Sequence, residues 1–130
     1  MFIKVNIDTS CTDEEKIKLL PLIERITKVS EIAREKGLLS IPETYDEIEN
    51  PTLISALEFA VMGINPAEIT ENFNYLLLSD AFSPVQLLER YLIYEGVLRI
   101  QCSLNRKDFK LLLLSMLGEK WVYDELFFQK

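Results

Sequence analysis

Hydrophobic residues fall at helical spacing over most of this chain. Between Thr12 and Gly37 they recur at Leu19, Leu22, Ile23, Ile26, Val29, Ile32 and Ala33, a stripe down one side of a helix. Thr12-Asp-Glu-Glu15 has the spacing of a capping box, with acidic side chains where the positive helix end favours them. Pro21 either kinks one helix or stands in the first turn of a second. Gly37 is the natural stop, preceded by Arg34 and Lys36.

Beyond Gly37 the same devices recur. Ser40-Ile-Pro-Glu43 has the spacing of a second capping box, ahead of a short helix. Asn50-Pro51 and Asn65-Pro66 each place Asn as N-cap and Pro at the first helical position. The first of these helices turns Leu53, Ile54, Leu57 and Val61 inward and stops at Gly63. The second turns in Ile69, Phe73, Leu76 and Leu77. Ser83-Pro84 opens a longer helix with Val85, Leu88, Tyr91, Leu92 and Leu98 as its apolar side. Asn105 caps a last clear helix holding Phe109, Leu112, Leu113, Met116 and Leu117, which ends at Gly118. The fold class is all-α, a compact bundle of about five to seven helices in one domain. Met1–Ile7 alternates apolar and polar residues, the pattern of a short strand or an extended arm. Trp121–Phe128 reads as a helix or as a strand to pair with it.

Composition narrows the function. Hydrophobic residues make up 48% of 130, which supports a packed core, and the net charge is −7. An acidic surface repels phosphate backbones, so protein partners with basic patches suit it better than nucleic acid. No apolar run approaches the roughly 20 residues of a membrane-spanning helix, and the N-terminus lacks the apolar core of a secretory signal. A cytoplasmic location with free thiols at Cys11 and Cys102 follows as an expectation. Cys102, among apolar neighbours near a helix end, is expected to pack as a small hydrophobe.

Candidate chemistry is sparse. The chain has no histidine and no Gly-rich phosphate loop, which removes His-based triads and imidazole ligation of zinc. Asp46, Glu47 and Glu49 lack calcium-loop spacing and read as a solvated acidic face. No catalytic, cofactor-binding or metal-binding residue emerges. The aromatic run Trp121, Tyr123, Phe127 and Phe128 either docks on its own domain or forms a surface for a partner or a second copy.

Segment order adds a resemblance. Ala33-Arg34-Glu35-Lys36-Gly37-Leu38-Leu39, then DEIENPTLISALEFAVMGINPAEITENF (46–73), then YEGVLRIQCSLNRKDFKLLLLSML (94–117), resemble in order the cytoplasmic parts of the MotA flagellar stator family. The family's last two membrane helices would fall between the second and third segments. Here YLLLSDAFSPVQ (75–86) connects them instead. The likeness covers about 29–117 and leaves a C-terminal aromatic tail at 119–130. Met62, Ser103 and Arg106 depart from the family pattern. The resemblance implies a non-catalytic interaction module without an ion channel, binding a motor component such as the rotor protein FliG or a stator protein. It implies a contact at Arg34 and Lys36. The family's acidic partner position falls on Pro42, with Glu43 beside it. The competing reading is an acidic helical chaperone or adaptor that holds a client through Trp121, Phe127 and Phe128.

Overall fold

The computed structural model describes residues 8–102 and 108–128. Among them are seven α-helices and no strand: α1 (Asp13–Ile17), α2 (Leu20–Lys36), α3 (Pro51–Val61), α4 (Pro66–Leu78), α5 (Pro84–Cys102), α6 (Phe109–Ser115) and α7 (Glu119–Phe127). A 3-10 helix, Leu38–Glu47, joins α2 to α3. The strand or arm expected over Met1–Ile7 and the cap expected at Asn105 lie outside the described residues.

Helix starts follow the local chemistry. The Thr12 box closes both ways: the Glu15 amide donates to Thr12 Oγ1 at 3.1 Å, and the Thr12 amide to Glu15 Oε1 at 2.9 Å. This helix is short, and Pro21 stands in the first turn of a separate α2. Asn50 Oδ1 accepts from the amides of Thr52 and Leu53, and Asn65 Oδ1 from that of Ala67. Ser83 and Gln86 form a reciprocal pair at the start of α5. Gly37, Gly63 and Gly118 carry φ of 92°, 76° and 131°, the left-handed region that lets the chain leave a helix without a Cβ clash.

The expected box at Ser40 does not form. Ser40 Oγ donates to the Gly37 carbonyl at 2.6 Å, and Thr44 Oγ1 to that of Ile41 at 2.7 Å. Both hydroxyls thus serve carbonyls three residues back, and Pro42 has no amide for an α-helical bond. The tighter 3-10 winding results. Its three-residue turn eclipses Ile41 and Thr44 on one buried side, leaving Glu43 outside.

α5 is the centre of the molecule. α2, α3 and α4 all pack against it, and every residue from Leu92 to Leu98 is buried. This corrects the one-sided reading of α5: Tyr91, assigned to its apolar side, is only half-buried, while Ile93, Tyr94 and Val97 are inside. The carboxylate-bearing Glu95 is buried too and faces Arg99 one turn on, at 4.0 Å. Gly96 permits the crowding, since a Cβ there would stand 3.0 Å from Ile26 Cγ2 on α2. α2 delivers Ile23, Ile26, Val29 and Ala33 to the core as its stripe predicts, and α6 delivers Phe109, Leu113 and Leu114. Leu76, expected inside, is exposed on α4. Cys102 is also exposed rather than packed, whereas half-buried Cys11 lies against the core; both thiols are free.

Candidate interaction surface

α7 carries apolar side chains on two opposite faces. Successive helical residues turn by about 100°, so Trp121 points one way while Tyr123, Leu126 and Phe127 point the other. Trp121 is 8% exposed and belongs to the core. Tyr123 and Phe127 are 53% and 57% exposed, with ring centroids 4.8 Å apart. Phe128 follows the last helical residue and lies 5.7 Å from Tyr123, itself 69% exposed. Leu126 completes the patch. Scattered exposed apolar residues are ordinary, but three exposed rings, two of them in contact with Tyr123, form a surface that association would cover.

Ion pairs fix this helix to the bundle. Lys110 of α6 bridges Glu24 of α2 and Glu125 of α7, the latter at 3.3 Å. The hydrogen bond to Glu24 is the main cause that holds the Lys110 ammonium above its ordinary range. Lys120 reaches Asp13 of α1 at 2.9 Å, and that bond raises its pKa likewise. Lys16 donates to the Leu117 carbonyl at 2.7 Å. The aromatic patch therefore sits on an anchored element, with Lys16, Lys110 and Lys120 engaged with carboxylates or backbone.

The residues singled out from sequence divide between two regions. Arg34 and Lys36 are exposed in the last turn of α2, and Glu43 is exposed on the 3-10 helix that follows Gly37. Leu39, which sequence reasoning passed over, is among the most exposed large apolar residues and stands between them in the chain. Trp121, Phe127 and Phe128 are not on one surface: the first is core and the other two are exposed. Leu126 was also missed, although its spacing from Tyr123 and Phe127 gives the outer face of α7 directly. Asp46, Glu47 and Glu49 are all exposed. Among the described residues no group of three metal-ligating side chains comes together, and no helix is long and apolar enough to cross a membrane. In comparisons with known proteins, no family model, no curated protein and no solved structure matches this chain.

Proposed function

We propose that this chain is a non-catalytic protein-interaction module whose primary contact is the outer face of α7. The observation that carries the reading is the cluster of Tyr123, Phe127 and Phe128, held in water on a helix whose opposite face is locked into the core. Exposed aromatic side chains give large contact areas at low entropic cost, and such residues dominate interface energetics. The net charge of −7 favours a partner whose rim is basic.

The stator-like sequence order supports a second contact at the end of α2, where Arg34, Lys36 and Glu43 are all exposed. In that version the partner is a cytoplasmic motor component, the FliG type of rotor protein or a stator protein. The adaptor version instead uses the α7 face alone. A pull-down of purified rotor and stator cytoplasmic proteins with the full chain separates them. Capture abolished by R34E/K36E and kept by F127S/F128S supports the motor version. The opposite dependence supports the adaptor version. Retention of every partner by both double variants overturns the assignment of either surface.

A further inference from the structure

A cleft of about 230 Å³ opens between α3, α4, the segment 79–82 that follows α4, and the middle of α5. Its inner wall is aromatic: Phe73 stacks on Tyr94 with centroids 4.4 Å apart, and Phe59 meets Phe73 edge-on at 5.7 Å. Its charged lining residues are of both signs. The Arg90 guanidinium lies over the Phe82 ring, 4.2 Å from its centroid, and Asp80 belongs to the same lining. The guanidinium N–H groups form a fork of donors that matches a planar carboxylate. Arg90 has a loose 3.6 Å contact with its chain neighbour Glu89, and Asp80 makes no ion pair among the described residues.

Hydroxyl groups without partners add a second observation. Thr70 and Ser115 return their hydroxyls to the carbonyl four residues back, at 2.8 and 2.7 Å. Ser55, Thr52 and Tyr94, which line the cleft, make no side-chain hydrogen bond among the described residues. Tyr94 is only 4% exposed, and a phenol so buried ordinarily finds a partner.

We propose that this cleft binds a free α-amino acid with an apolar side chain. The carboxylate pairs with Arg90, the ammonium with Asp80, and the side chain lies against half-buried Phe59, with fully buried Phe73 behind it. A bare carboxylate would meet the negative charge of Asp80 and a bare amine the positive charge of Arg90; a zwitterion satisfies both. The volume lies below the roughly 300–1,000 Å³ of larger ligand pockets, which limits the occupant to a small molecule.

Titration calorimetry of the full chain with L-leucine and L-phenylalanine tests the proposal, with hydrocinnamate and phenethylamine as analogues lacking one charge each. Binding of at least one amino acid is expected, with the matching analogues weaker by about tenfold or more, the loss of one charged hydrogen bond. D80N, at an exposed position, should weaken the amino acid and spare hydrocinnamate while the thermal melt stays unchanged. R90Q should weaken both. F127S/F128S should leave binding intact, which separates this site from the α7 surface. No heat with either amino acid at millimolar concentration overturns the proposal. So does hydrocinnamate binding as tightly as phenylalanine, or a D80N protein that binds as the parent does.

Discussion

At the scale of single residues, the pair Tyr45–Glu58 joins the 3-10 helix to α3. The Tyr45 hydroxyl donates to Glu58 Oε1 at 2.7 Å. Burial, then the bond to Glu58, pushes the phenol well above its ordinary value of 10, and burial raises Tyr91 and Tyr94 in the same direction. The unfolded chain releases these protons near pH 10 while the folded chain keeps them. Stability is therefore fully present below that pH and falls as pH rises above it. Y45F should cost about 1 kcal/mol at neutral pH, the net worth of one hydrogen bond. It should also flatten the decline above pH 10. Urea unfolding between about pH 8 and pH 11 checks both; equal slopes for parent and variant would remove Tyr45 from the alkaline transition. No spacing rule links residues 45 and 58, so this contact was not legible in the sequence.

At the scale of elements, local chemistry was legible and close approach was not. The two Asn-Pro caps form as read because cap and amide lie within three residues. N50A should cost about 1 kcal/mol and more than N65A, since Asn50 serves two amides and Asn65 one; the two urea midpoints give the order. The short helix expected after Ser40 is there, but its 3-10 winding was not legible, because the Ser40 hydroxyl had two roles at indistinguishable spacing, a cap or a bond to the Gly37 carbonyl. α5 was legible as a helix, but its all-round burial from Leu92 to Leu98 was not, because Glu95 and Gly96 disguise it. Gly96→Ala raises helix propensity by about 1 kcal/mol, yet its Cβ drives against fully buried Ile26. Overpacking of this kind costs about 1–3 kcal/mol, so G96A should destabilise. I26A opens the same space, and the double variant should lose less than the sum of the two singles. Additive losses would place the strain elsewhere.

For the whole molecule, the two faces of α7 should separate stability from binding. W121A should cost about 3 kcal/mol or more, as large core truncations do, whereas F127S/F128S should leave the melting temperature within about 2 °C of the parent, the scale of an ordinary surface change. A large drop in both variants would mean that the outer rings also hold the fold. The sequence made the aromatic run visible but not its division, because the inner and outer faces of a nine-residue helix are told apart only by what it packs on. A last consequence follows from α1, which has no buried residue of its own and is held by Lys16 to a carbonyl 101 positions away and by Asp13 to Lys120. α1 can leave by losing these contacts alone, whereas α7 also keeps buried Trp121 and the Lys110–Glu125 pair. In deuterated water, the amides of α1 should therefore exchange ahead of those of α7 and α5.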